Sequence, residues 1–141
     1  MKVISGRLDR AFQLHQKEYE DKAIEVLRSG WYILGKEVSS FEEEFAAHNN
    51  IEYCVGLASG LDALSLSIRA LGIGKGDEVL VQANTYIASV MGITINGATP
   101  VFVEANKYYN IAVEDLESKI TPKTKAIMVV HLYGQACKMD T

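Results

Sequence analysis

Ser59-Gly60-Leu61-Asp62 sits where the apolar stretch "GLA" hands over to the amphipathic run "GLDALSLSIRALG". Small residues at a helix start suit anion binding, because first-turn amides lack partners inside the helix and carry partial positive charge. The same spacing, a serine followed three positions later by an acid, is also a capping box that would start any helix. Spacing alone leaves both readings standing. Two further stretches could do chemistry: "QANTYIAS" at 82–89, which holds Tyr86, and "HLYGQ" at 131–135, which begins with His131. A tyrosine ring holds a flat conjugated ligand by offset stacking, or packs as an ordinary core residue. A lone histidine at a strand end reads as a structural residue rather than a catalytic base.

The elements that must position these residues follow from periodicity. Phe12, His15, Tyr19, Ala23, Val26 and Leu27 predict one helix over 9–28, stopped by Gly30. "WYILG" at 31–35 reads as an exposed aromatic loop, and 37–48 as a short helix burying Val38, Phe41 and Phe45. Strand and helix then alternate: strand 53–58, helix 60–71, strand 78–81, helix 85–96, strand 100–104, helix 113–119, strand 125–131. Continuously apolar strands separated by helices predict a three-layer α/β fold with a mostly parallel, doubly covered sheet and right-handed crossovers. Ligands of such sheets collect at the carboxyl ends of the strands. All three stretches singled out above follow predicted strands, which shifts Ser59-Gly60 towards function. Gly72, Gly74 and Gly76 imitate a dinucleotide loop but follow a helix and precede a strand, the reverse of the order required. They read as a helix stop and a turn.

The chain has 141 residues, 48% hydrophobic and 23% charged, with a net charge of −4. That is ordinary for a globular domain and speaks against nucleic acid or an anionic membrane as partner. Arg7, Asp9 and Arg10 stand where a signal peptide needs an apolar core, so a cytoplasmic protein is expected. Cys54 and Cys137 are too few and too distant for a disulfide framework. Cys54 is expected as a buried thiol in a strand, and Cys137 is left unassigned. The sequence stops on a strand and a loop, so a truncated chain is expected.

"SGWYILGKEVSSFEEEFA", "ASGLDALSLSIRALGIGKGDEVLVQANTYIAS", "GATPVFVE" and "ITPKTKAIMVVHLYGQ" together resemble the N-terminal part of the DegT/DnrJ/EryC1/StrS family. Those proteins are pyridoxal-phosphate-dependent nucleotide-sugar aminotransferases of the fold-type-I architecture. The resemblance implies that residues 1–141 are the first part of the cofactor-binding large domain. It implies that Ser59, Gly60, Leu61 and Asp62 cradle the cofactor phosphate, with Leu61 replacing the family's threonine and removing one hydroxyl. A carboxylate in that first turn repels a dianion, so Asp62 fits only if its side chain turns back to cap the helix. Tyr86 matches the family's ring-stacking aromatic residue, and Trp31, Tyr32 and Gly35 match a segment beside the sugar nucleotide. A homodimer, a nucleotide-linked keto sugar and glutamate as amino donor are further implications, and the "GLDAL" form hints at a dTDP-linked 3-keto deoxysugar. No metal ligands are assigned. The Schiff-base lysine and the acid facing the pyridine nitrogen are expected beyond Thr141, so this piece by itself is expected to be inactive. Two rival readings stand beside it, a sugar dehydratase of the same family and a non-catalytic truncated domain.

Overall fold

The structure, a computed structural model, describes residues 6–140, divided into one unit ending at Gly56 and a second beginning at Leu57. The first unit holds α1 (Leu8–Leu14), α2 (Gln16–Ser29) and α3 (Lys36–His48). The single helix expected over 9–28 is broken at His15, whose φ of −127° and ψ of 24° leave the helical region. The rings of Phe12 and Tyr19 stack across the break at 6.0 Å, so the apolar spacing runs on while the backbone turns. Gly30 ends α2 as expected, in the left-handed conformation with φ 69°. In α3 only Ala46 is buried. Phe41 and Phe45, expected in a core, tilt against each other at 5.5 Å and remain exposed.

The strand expected over 53–58 does not form. Strands exist only where backbones pair, and the sheet among the described residues has three strands, none from this stretch. Its Gly56 amide donates instead to the Glu42 carboxylate at 2.6 Å. Cys54 is accordingly half-buried rather than enclosed in a strand.

The second unit runs α4 (Gly60–Ala70), β1 (Glu78–Gln82), α5 (Ile87–Thr94), β2 (Thr99–Val103), α6 (Val113–Lys119) and β3 (Thr124–Met128). The three strands are parallel in the order β2-β1-β3, with Leu80 opposite both Val101 and Ile127. Central β1 is sealed on both faces, as its unbroken apolar run predicts. Val79 and Val81 pack with Ile68, Ile73, Ile93 and Ala98 on the side of α4 and α5. Leu80 packs with Val103, Ile111 and Cys137, and Leu116 of α6 lies against that cluster. Two helical layers therefore cover one sheet, the three-layer α/β arrangement expected. The chain passes from β1 to β2 through α5, then back across β1 to β3 through α6 on the other face. Reversing both direction and face keeps the two crossovers of one hand.

Cys137, unassigned from sequence, is a core residue, and its thiol donates to the Val130 carbonyl at 3.2 Å. The glycine run behaves as a stop and a turn. Gly72 follows α4 with φ 71°, Gly76 has φ 97°, and the Gly74 amide donates to Asp77 at 3.0 Å. Asp115 in α6 is pushed up by desolvation. Hydrogen bonds from the Glu104 amide and Ser118, together with the Lys119 charge, outweigh this and hold its carboxyl below the usual range. Among the described residues no helix is long and apolar enough to cross a membrane.

Candidate cofactor and substrate site

Ser59 is the N-cap of α4, extended at φ −156° and ψ 162°, and its hydroxyl accepts from the Asp62 amide at 3.1 Å. The same hydroxyl donates to the Asp62 carboxylate at 2.9 Å. Asp62 therefore folds back onto the cap instead of projecting beyond the helix end, the condition under which an acid is compatible with a bound anion. The amides of Gly60 and Leu61 lie in the first turn and have no acceptor within the helix. A β-carbon at Gly60 would meet nothing within 4 Å, so space is open against those donors. Unpaired amides, a helix start and open space together suit a phosphate. The leucine at 61 adds no hydroxyl to the set.

Ser59 carries a cap worth about 1 kcal/mol, and Ser59→Ala is expected to lose that much stability. A urea titration followed by circular dichroism measures it. Ser59→Asp, which keeps an acceptor at the cap, is expected to restore most of the loss.

The register of α4 against α5 fixes where the second site residue lies. A β-carbon on Gly92 would fall 2.8 Å from that of Leu64. Further along, the Asn96 amide donates to the Ser65 carbonyl at 2.9 Å, and Arg69 reaches Asn96 at 3.4 Å. Position numbers rise together on both helices, so they run parallel. Because α5 begins just after the carboxyl end of β1, α4 also begins at that edge of the sheet. Tyr86 is the N-cap of α5 and is 76% exposed, so its ring is not a core ring. The Ser59–Asp62 turn and Tyr86 thus mark the starts of two neighbouring parallel helices.

Behind Tyr86 the loops are tied by side-chain amides. Gln82, fully buried at the end of β1, donates to Asn84 at 3.2 Å, and Asn84 donates to the Tyr109 carbonyl at 2.9 Å. Asn110 donates to the Ala136 carbonyl at 3.1 Å. The carbonyl acceptors fix which way each asparagine amide faces. His131 accepts from the Cys137 amide through Nδ1 at 3.0 Å, which leaves its ring proton on Nε2. It holds its own loop, as its structural reading anticipates. Asn84 and Asn110 were not among the sequence candidates. Their amides bond backbone 25 and 26 positions away, so no local sequence pattern could have singled them out.

Trp31, Tyr32 and Gly35 belong to the first unit. The Trp31 indole donates to the Ile33 carbonyl at 2.7 Å and the Tyr32 hydroxyl to the Leu27 carbonyl at 3.1 Å. A β-carbon on buried Gly35 would lie 3.1 Å from the Trp31 carbonyl and 3.5 Å from its ring, so this loop closes on itself. Both aromatic side chains nevertheless remain about two-thirds exposed.

Known proteins resemble this chain in both sequence and fold. A dTDP-3-amino-3,6-dideoxy-alpha-D-galactopyranose transaminase from Aneurinibacillus thermoaerophilus is 58% identical over 128 residues, covering 90% of this chain and 35% of its own length. Among solved structures, S. venezuelae DesV in complex with a ketimine intermediate superposes with a TM-score of 0.90 at 45% identity. The match covers 94% of this chain and 36% of that one. NtdA from Bacillus subtilis with bound cofactor PMP gives a TM-score of 0.84 at 32% identity, over 89% of this chain and 29% of that one. The chain spans about a third of the length of the curated relatives it matches. A putative sugar aminotransferase from Streptococcus pneumoniae, Spr1654, in its PLP form gives a TM-score of 0.78 at 40% identity, over 81% of this chain and 29% of that one. Residues 13–141 match the DegT/DnrJ/EryC1/StrS aminotransferase family, and the chain belongs to it.

Proposed function

We propose that the full-length protein is a pyridoxal-phosphate-dependent aminotransferase acting on a nucleotide-linked keto sugar, with glutamate as amino donor. In this reading residues 1–141 are the N-terminal part of the cofactor-binding large domain of a cytoplasmic homodimer. The substrate is a dTDP-linked 3-keto deoxysugar, a reading favoured by the similarity to the Aneurinibacillus transaminase. One observation supports the proposal: parallel α4 and α5 start at the same sheet edge, the first at the capped Ser59 turn and the second at the exposed Tyr86.

When bound, the cofactor supplies an electron sink for carbon–nitrogen chemistry. The residues of this chain bind and orient. The Gly60 and Leu61 amides hold the phosphate, with Ser59 keeping the Asp62 carboxylate turned away from it. Tyr86 would stack on the pyridine ring and orient it. Trp31, Tyr32 and Gly35 form the substrate-facing loop.

Equilibrium dialysis of pyridoxal phosphate against the full-length protein tests this. Tyr86→Ala is expected to weaken cofactor binding about fivefold, since an aromatic stacking pair contributes roughly 1 kcal/mol beyond its buried area. Tyr86→Phe is expected to bind as the parent does. Equal affinity for parent and Tyr86→Ala would remove the ring from the site.

A further inference from the structure

Tyr86, Tyr109 and Tyr133 are exposed tyrosines that follow the carboxyl ends of the three strands, one after each, and Tyr108 beside Tyr109 is exposed as well. Tyr109 lies in the loop leaving β2 and Tyr133 in the turn after β3, 70% and 101% exposed. Both of these hold left-handed backbone, with φ of 64° and 51°. Bulky side chains rarely adopt that conformation, and neither ring offsets it by burial. The loops bearing them are nonetheless fixed. Asn84 is bonded to the Tyr109 carbonyl, and Asn110, next in sequence, is bonded to the Gln135 and Ala136 carbonyls of the Tyr133 loop. The His131 imidazole closes that same loop on Cys137. Two amides therefore lace the three tyrosine loops into one rim. A cation stands beside it, with the Lys107 ammonium 5.0 Å from the centre of the Tyr108 ring.

Exposed rings on a fixed backbone with a neighbouring cation suit a planar base joined to phosphates. We propose that Tyr109 and Tyr133 form a stacking subsite for the base of a nucleoside diphosphate, with Lys107 as counter-charge to its phosphates. The proposal rests on the nucleotide-sugar reading above and extends it to three residues that the reading does not use.

Thymidine diphosphate is titrated into the full-length protein by calorimetry, alongside Tyr109→Asn and Tyr133→Asn. Asparagine tolerates left-handed backbone, so these changes remove the ring and keep the loop. Each is expected to raise Kd about tenfold, with Tyr133→Phe restoring it. Lys107→Gln is expected to lower the dependence of Kd on salt. The subsite is refuted if the parent does not bind thymidine diphosphate, or if both asparagine variants bind it as the parent does. It is equally refuted if those variants change only the oligomeric state, because the rings then cover another protein surface. Dialysis of pyridoxal phosphate on the same samples separates the two readings. Ring-dependent nucleotide binding without cofactor binding sinks the aminotransferase reading and leaves the subsite standing, and cofactor binding with ring-independent nucleotide binding does the reverse.

Discussion

Leu80→Ala should lower the unfolding free energy by about 2–5 kcal/mol, the range for a buried leucine that leaves a cavity. The upper half of that range is expected. Leu80 is fully buried at the middle of the central strand, between Val101 and Ile127 in the neighbouring strands. Its side chain fills the face shared with Val103, Ile111 and Cys137, which come from β2, the loop after it and the chain beyond β3. Sites held from several directions collapse poorly, so the void persists. Domains are typically stable by only about 5–15 kcal/mol, so a loss of this size takes a large share of the total. A urea midpoint that moves with unchanged slope is the expected signature. Leu80→Met, close in volume, is expected to lose less than about 1.5 kcal/mol. A midpoint for Leu80→Ala within error of the parent would mean that this face is not the core of the unit.

Gly92→Val is the second large effect, expected at about 2–3 kcal/mol of destabilisation by the same titration. Glycine inside a helix is a weak helix former, and replacing it on an exposed face gains up to about 1 kcal/mol. Here that gain is outweighed. Gly92 is buried, and any β-carbon would sit 2.8 Å from the β-carbon of Leu64 and 3.4 Å from the Ser65 amide. A contact of 2.8 Å lies on the repulsive side of the van der Waals minimum near 3.5–4 Å. The helices must part, and valine, branched at that carbon, forces them further. Gly92→Ala sets the propensity gain against the smallest clash and is expected to fall between the parent and valine. A valine variant as stable as the parent would show that α4 and α5 are free to separate.

Much of the second unit could be read from its sequence because periodicity and burial agree there. "VLV" at 79–81 is apolar without alternation, and β1 proves covered on both faces. The expected span 113–119 matches α6 (Val113–Lys119). The failures are informative for the opposite reason. "YCVGLA" has the composition of a strand, but composition does not supply a partner backbone, and the segment pairs with none of the three strands. Phe41 and Phe45 repeat at helical spacing, which predicts an apolar face and says nothing about what covers it. The break at His15 sits inside an unbroken apolar stripe, where only backbone angles reveal it. At the candidate site, the capping geometry of Ser59 and Asp62 was legible from a three-residue spacing. The amide bonds of Asn84 and Asn110 join residues 25 and 26 positions apart, a separation that no local pattern encodes.

The contact at Gly92 and the three acceptors gathered by the Asn96 amide, Ser65 Oγ, the Ser65 carbonyl and the Gly92 carbonyl, also have a mechanical meaning. Two helices pinned at that many points behave as one stiff plank, with no hinge between them. A displacement imposed at the start of one is carried to the start of the other, so whatever grips the Ser59 turn also sets the position of Tyr86. Any rearrangement elsewhere in the protein therefore leaves the spacing between the Ser59 turn and Tyr86 unchanged.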